Sequence, residues 1–316
     1  MTAAAPSAPV RACGVRVPCS TSNLGAGFDC IGLAFNRYLD AAFAPGGDAL
    51  DVRRGGTLAA LVDDDRDLFL SAFRAELRRR GRAHTTGSLL VTSQIPIGRG
   101  LGSSAAAVVA GIALAAAACG DTLDRNSALA AAMRVEGHPD NAAPALFGGL
   151  VAIVHSEDGA PRALPLALSP RIGFVFVAPD VEVSTQRARA VLPAQVPHSA
   201  AVRNLGRVAA LLYGLAHADP PAIAAGFNDE LHVPYRLPLI PGARAVMAAA
   251  RRAGAWGATI SGSGSGLIAA CERGSEEAVL QAMVGAFELA KQHADGFVAH
   301  PDTHGVQPRD AGTLRV

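Results

Sequence analysis

The chain has 316 residues, half of them hydrophobic and 17% charged, with a formal net charge of +1 at pH 7. That length accommodates about two domains with substantial cores, and the near-neutral charge argues against a nucleic-acid or membrane-surface partner. Five cysteines, at 13, 19, 30, 119 and 271, form no C-x-x-C pair and no His/Cys cluster with metal spacing, so free thiols in a reducing cytoplasm are expected.

Residues 1–13 lack a basic stretch followed by an apolar core, so they read as a loose tail rather than a signal peptide. Val15 to Val17 reads as a short strand leading into Pro18. Asn23, Gly25 and Gly27 make a turn, and Asp29 stands directly before the apolar run from Cys30 to Phe35, which places it near a core or cleft. Residues 36–62 read as strands around a turn at Pro45, Gly46 and Gly47. Asp67 to Arg82 reads as a helix with an arginine-rich, solvated end, and Ser88 to Ile95 as an alternating strand.

That strand delivers the chain to Pro96, Ile97, Gly98, Arg99, Gly100, Leu101, Gly102, Ser103, Ser104, Ala105 and Ala106. The three glycines permit positive φ and close approach of the backbone to a ligand. Ser103 and Ser104 fall where cap-type residues belong, and the alanine-rich continuation forms a helix readily. A helix N-terminus with free N–H groups behind a glycine loop is a phosphate site. It is not a Walker A loop, which needs a lysine; the only lysine of the chain is Lys291. Nor does the third glycine fall where a dinucleotide fingerprint requires it. The apolar run Ala105 to Cys119 is short of the roughly 20 residues of a membrane span and reads as a buried helix.

Asn126 to Val135 is a second alanine-rich helix. Glu136, His138, Asp140 and Asn141 then crowd an acid, an imidazole, an acid and an amide into six residues held in a turn by Gly137 and Pro139. Leu150 to Val154 reads as a strand, and 156–168 as a hinge into a second domain. Ile172 to Ala178 is an apolar strand, after which Val183 to Pro193 opens a helix carrying Thr185, Arg187 and Arg189. Helices follow at His198 to Ala218 and Ile223 to Leu231, and another runs on to Ala253 after Tyr235 to Gly242, which carries Arg236. A third glycine-rich stretch, Trp256 to Gly266, leads into the strand Leu267 to Cys271. It contains no G-x-S-x-G elbow in a fitting frame. Glu277 to Ala294 reads as a helix, and the segment through Pro301 to Gly305 as the last strand and turn of the same domain.

Six of these stretches resemble signatures of the GHMP kinases. Pro96 to Ala106 is similar to their P-x-x-x-G-L-G-S-S-A-A phosphate motif, and Gly257 to Gly264 to their G-A-x-x-S-G-S-G motif, with Ser265 and Gly266 where the pattern has proline and threonine. That replacement keeps small residues and is expected to loosen the loop. Two stretches narrow the resemblance to the homoserine kinases of that family. Residues 18–34 resemble P-A-T-S-A-N-L-G-P-G-F-D-x-x-G-L-A, with Cys19, Ser20, Thr21 and Ser22 for A-T-S-A and Ala26 for proline. Residues 136–149 resemble E-G-H-x-D-N-V-A-P-A-x-x-G-G, with Ala142 for valine. Thr185 and Arg189 match S-T-x-x-x-R-x-x-L-P, and Arg236 matches Y-R-x-x-L-I-P-G. The resemblance spans Val15 to about Gly305.

The resemblance implies a two-domain α+β fold: residues 14–160 as an ATP-binding domain of the ribosomal protein S5 domain 2-like type, and residues 161–316 as a ferredoxin-like domain. It implies ATP, Mg²⁺ and L-homoserine as ligands, and a homodimer as the common assembly. By the same token, Ser104 (or Ser103) and Glu136 would be the Mg²⁺ ligands. The acceptor chemistry agrees independently, because a molecule with a carboxylate and an ammonium wants arginines for the first and carboxylates for the second. Arg189 and Arg236 meet one demand, and Asp29 and Asp140 the other; Asn23, His138, Asn141, Thr185 and Gly262 complete the expected acceptor site. Asp140, Asn141 and His138 are the candidate catalytic residues. If Asp140 is engaged by an ammonium it is a poor base, and His138 is the alternative on pKa grounds. Two rival readings stay open: a sister kinase acting on a sugar or isoprenoid alcohol, and a catalytically silent ligand binder on the same fold.

Overall fold

The computed structural model describes residues 9–61 and 67–313. The tail expected over residues 1–13 therefore lies outside the described residues up to residue 8, and Cys13 already belongs to a strand. Strand β1 (Cys13–Ser22) runs through Pro18 rather than stopping at it, because its register against β2 (Ile31–Pro45) shifts between Pro18 and Cys19. Such an irregularity is where a ladder accommodates a residue without an N–H.

Strand β3 (Leu50–Gly56) does not form a hairpin with β2 across the Pro45 turn. Strand β4 (Gly87–Ser93) inserts between them, antiparallel to β2 and parallel to β3. The parallel pair is joined by the crossover helix α1 (Leu68–Arg79), whose first turn is capped by Asp67 accepting from the Leu70 N–H at 2.8 Å. The opening part of β2 pairs instead with β5 (Leu150–His155). The segment read as a hinge is a β-hairpin: β6 (Pro161–Leu166) pairs with β5 from Leu150 to His155. A division at residue 160 would sever it, so the first sheet extends beyond that boundary.

Helix α2 (Ser103–Ala118) is apolar on nearly every side and sits inside the larger core, against β1 and between α1, α3 (Arg125–Glu136) and α4 (Ala142–Phe147). An all-round apolar helix is stable only when covered on all faces. Among the described residues no helix is long and apolar enough to cross a membrane.

The second sheet has strand order β10-β7-β9-β8, all antiparallel, from β7 (Ile172–Pro179), β8 (Gly257–Ile260), β9 (Leu267–Glu272) and β10 (Ala294–Ala299). This is the ferredoxin-like order, with α9 (Ala243–Arg252) and α10 (Glu276–Leu289) packed together over a core of their own. Between β7 and β8 the chain also forms α5 (Thr185–Ala190), α6 (His198–His217), α7 (Pro220–Phe227) and α8 (Val233–Arg236).

The final segment leaves this second sheet. Pro301 bridges Phe35, and β11 (Gln307–Arg309) pairs with β1 at the edge of the first sheet. Asp302 anchors the return by accepting from Tyr38 Oη and from the N–H groups of His304 and Gly305. The expectation that Pro301 to Gly305 closes the second domain is corrected by these pairings: once β10 has filled the sheet edge beside β7, the unpaired edge of β1 takes up the chain.

Candidate active site

The phosphate loop leaves β4 and enters α2 with Gly98, Gly100 and Gly102 at φ values of +67°, +81° and +63°. These are left-handed conformations that side chains disfavour. Gly102 is the N-cap residue of α2, so Ser103 and Ser104 are its first two helical residues and not the caps expected from sequence. The correction leaves the first-turn N–H groups without a side-chain cap and available to an anion.

The third glycine-rich stretch lies across this loop. Ser261 Oγ donates to Gly100 O at 2.6 Å, and Gly266 N–H donates to Arg99 O at 3.0 Å. A Cβ on Gly100 would overlap the Ser261 carbonyl, and one on Gly266 would overlap Phe176 and the Arg99 carbonyl. The threonine of the family pattern therefore does not fit at 266. Ser265 is fully buried and donates its hydroxyl to Val181 O, so the substitution ties the loop to the segment before α5 where loosening was expected.

A cleft of about 800 Å³ opens along this junction. One end is apolar, with Leu58, Leu61, Leu68, Phe69 and Val91 beside the Arg54–Asp67 ion pair. The other end presents Gly98 to Ser104 apart from Arg99, with His138, Asn141, Thr185, Gly262 and Ser263.

Glu136, the last residue of α3, meets the start of α2, where Ser104 Oγ donates to its Oε2 at 2.9 Å. Burial raises the Glu136 carboxyl above its usual range, and that hydrogen bond only partly offsets it. A half-buried carboxylate hydrogen-bonded by a serine hydroxyl, beside the glycine loop, fits a hard divalent cation. Among the described residues no three His, Cys, Asp or Glu side chains cluster as a metal site. Mg²⁺ does not require such a cluster, since it keeps waters and shares phosphate oxygens.

Next to Glu136, His138 Nδ1 lies 2.9 Å from Asp140 Oδ1, which also accepts from the Asn141 N–H at 3.0 Å. Asp140 is buried, and burial raises its pKa, but the bonds from His138 and Ser22 and the charges of His138 and Arg189 bring the net shift below the ordinary value. The Asp140 hydrogen bond raises His138 in turn. Asp140 is therefore an anion at neutral pH and a weak proton acceptor.

The acceptor residues arrive from distant segments. Asp29 and Asn23 both have positive φ, at +56° and +59°. Asn23 Oδ1 accepts from the Asp29 N–H at 2.8 Å and its Nδ2 donates to Gly262 O at 3.0 Å, so both ends of its amide are spent on backbone. Asp29 receives both terminal nitrogens of Arg189, at 2.9 and 3.1 Å. The two side chains expected to hold opposite ends of one ligand thus hold each other, with each more than a third exposed. Thr185 Oγ1 donates to Ser263 Oγ at 3.5 Å, and Arg187 is exposed.

Arg236 is 1% exposed. Its Nε donates to Ala188 O at 3.1 Å, Nη1 donates to Gly262 O at 3.3 Å, and its guanidinium lies 5.0 Å from the Phe28 ring centre. Among the described residues no carboxylate comes within ion-pairing distance of it. Burial pushes its pKa down to about 10, so it remains a cation. His232 stacks on Phe28 and bonds Gly25 O through Nε2 at 3.0 Å; burial drives it down to about 4, and it is neutral beside Arg236.

Sequence reading missed Ser20, Ser22, Ser261 and His232. The first two sit in a run of three polar residues, Ser20, Thr21 and Ser22, at the end of an apolar strand, where the two-residue spacing places Ser20 and Ser22 on one face. His232 had no such signal, because its role follows from what α8 packs against.

A glycine-loop nucleotide site joined to a ferredoxin-like unit across a cleft is the architecture of a small-molecule kinase, and the chain belongs to the GHMP kinases: the family model for their N-terminal domain matches residues 67–149 and that for their C-terminal domain residues 211–289. Within the family its relatives are homoserine kinases. It is 39% identical over 289 residues to homoserine kinase from Gloeobacter violaceus, covering 89% of this chain and 95% of that one. It is 41% identical over 274 residues to homoserine kinase from Moorella thermoacetica, covering 86% and 92%. The crystal structure of homoserine kinase from Cytophaga hutchinsonii superposes with a TM-score of 0.85 at 29% identity, over 97% of this chain and all (100%) of that one. Mevalonate kinase from L. major, at 18% identity and a TM-score of 0.73, shares the fold.

Proposed function

We propose that the chain transfers the γ-phosphoryl group of ATP to the side-chain hydroxyl of L-homoserine, forming O-phospho-L-homoserine on the route to threonine. The observation that carries the reading is Arg236, a buried cation with no carboxylate partner among the described residues, held next to a half-buried Asp29–Arg189 pair. An ion pair with this much access to water contributes about 1 kcal/mol, so a zwitterionic ligand can separate it at little cost. Its carboxylate would take Arg189 and Arg236, and its ammonium Asp29 with Asp140.

Phosphoryl transfer needs mainly alignment and charge neutralisation. The N–H groups at the start of α2 and the positive φ loop at 98–102 suit the ATP phosphates. Ser104 and Glu136 would hold Mg²⁺, which supplies further neutralisation of phosphate charge when bound. The apolar end of the cleft suits the nucleotide base. His138, Asn141, Thr185 and Gly262 line the cleft where the acceptor hydroxyl would be oriented. Asn23 supports Asp29 and Gly262 from behind. With Asp140 held anionic, catalysis rests on alignment and electrostatics, and His138 is the nearest group able to exchange a proton. A cytoplasmic location, which the five unpaired cysteines suit, and a homodimer belong to the same reading; sedimentation tests the dimer.

The test is ADP release from Mg-ATP with L-homoserine, serine, threonine, mevalonate or galactose. Release dependent on homoserine and weak with the rest is expected. Release with mevalonate or galactose instead would reassign Arg189, Arg236 and Asp29. A folded protein that binds ATP and releases no ADP with any acceptor would mark a silent binder.

A further inference from the structure

We infer that Ser22, where the homoserine kinase pattern has alanine, is a positioning residue that sets the orientation of the Asn141 amide for phosphoryl transfer. The inference rests on the kinase reading above.

Asn141 stands at the N-cap of α4 but its side chain makes no capping bond there. It reaches across to β1 instead. Ser20 Oγ donates to Asn141 O at 3.0 Å and to Asn141 Oδ1 at 3.1 Å, while Asn141 Nδ2 donates to Ser22 Oγ at 2.8 Å. Ser20 and Ser22 are both fully buried on the same face of β1. An asparagine amide has two near-degenerate orientations, and its partners decide between them. Ser20, already directed at the Asn141 oxygens, assigns Oδ1 to its own side. The Ser22 hydroxyl oxygen accepts the amide N–H at 2.8 Å, which places Nδ2 on its side. Both assignments agree, and the second Nδ2–H is left for the cleft that Asn141 lines.

The location makes that hydrogen consequential. Gly102 lies so close that a Cβ on it would sit 2.8 Å from Asn141 Oδ1 and 2.6 Å from Ser20 Oγ. The amide therefore abuts the N-cap of the phosphate helix on one side and Asp140 and His138 on the other. Ser22 also ties this cluster to the third loop, since its carbonyl accepts the Gly262 N–H at 2.9 Å. Alanine at 22 would keep that backbone bond and lose the amide's second restraint.

The test compares Ser22→Ala and Ser22→Cys with the unaltered chain. The thiol keeps nearly the same volume but is a weak acceptor. Both substitutions should lower kcat by roughly 3- to 10-fold, the size of one neutral hydrogen bond, with KM for ATP and homoserine unchanged. Thermal unfolding should stay within about 3 °C. In an Asn141→Ala background, Ser22→Ala should have no further effect on kcat, because the two act as one unit. Without any substrate, NMR should show the Asn141 side-chain amide protons protected in the unaltered chain and exchanging faster in Ser22→Cys. Wild-type kcat in both variants, additive losses in the double variant, or equal amide protection would each overturn the inference. The amide readout needs no acceptor, so it separates this inference from the homoserine assignment, which the ADP-release panel decides.

Discussion

The phosphate side and the acceptor side of this cleft are built in different ways. On the function proposed above, phosphate recognition falls to backbone within one continuous stretch, Pro96 to Ser104, where three glycines turn the chain and a helix begins. Acceptor recognition would fall to side chains from segments far apart: Asp29 after β1, Asp140 between α3 and α4, Arg189 on α5 and Arg236 on α8. Phosphate is a generic anion that any well-aimed set of N–H groups can hold, so a local motif suffices. A zwitterion with a hydroxyl at a defined distance demands three charge and hydrogen-bond partners at fixed separations, which no short stretch can span.

If that contrast holds, damage on one side should read out selectively. The largest effect is expected from Arg236→Leu, which should raise the homoserine KM by roughly 10²- to 10³-fold, as for loss of a buried charge partner. The ATP KM should move less than about threefold; equal changes in both would break the comparison. Glu136→Gln comes next, lowering kcat by roughly 10²-fold as expected for loss of one electrostatic stabiliser. Its Mg²⁺ concentration profile should shift while the homoserine KM holds, and unaltered turnover would remove Glu136 from the site.

Gly100→Ala sharpens the contrast from the other direction. It forces a side chain into φ +81° against the Ser261 carbonyl, where the two loops meet. A loss of about 2–3 kcal/mol in urea unfolding is expected, with both KM values rising together, since the shared junction moves. Wild-type stability would mean that the loops are not in contact.

The smallest effect concerns pH. Burial holds His232 down at about 4, whereas it titrates near 6.5 in the unfolded chain. Its depressed folded value means that the stability it contributes is present above pH 6.5 and is lost as pH falls through 4. The loss falls on the acceptor side, where His232 supports Phe28, Gly25 and Arg236. NMR titration of His232 with a midpoint near 6.5 would contradict this.

Much of this was legible in the amino-acid order. The glycine loop announced its conformation, and the apolar run from Ala105 announced a helix buried on all sides. The density of polar groups at 136–141 announced a site. Misreadings fell where the partner of a strand had to be known. The stretch after β5 has the composition of a hinge, and it is a strand only because β5 offers an open edge. The strands expected around the turn at Pro45 do form, and what the sequence did not show is that β4 lies between them.

What the sequence by itself determined is the family and the backbone conformation of the glycine loop, because conformation at glycines and helix starts is set by near neighbours. Only the tertiary structure decided that Asp29 pairs with Arg189, that Arg236 is a buried cation without a carboxylate partner among the described residues, and that Ser22 reaches Asn141. Those pairings join residues more than a hundred positions apart, except for Arg236, whose state depends on what surrounds it. Distances and burial of that kind exist only once both sheets and the helices between them have packed.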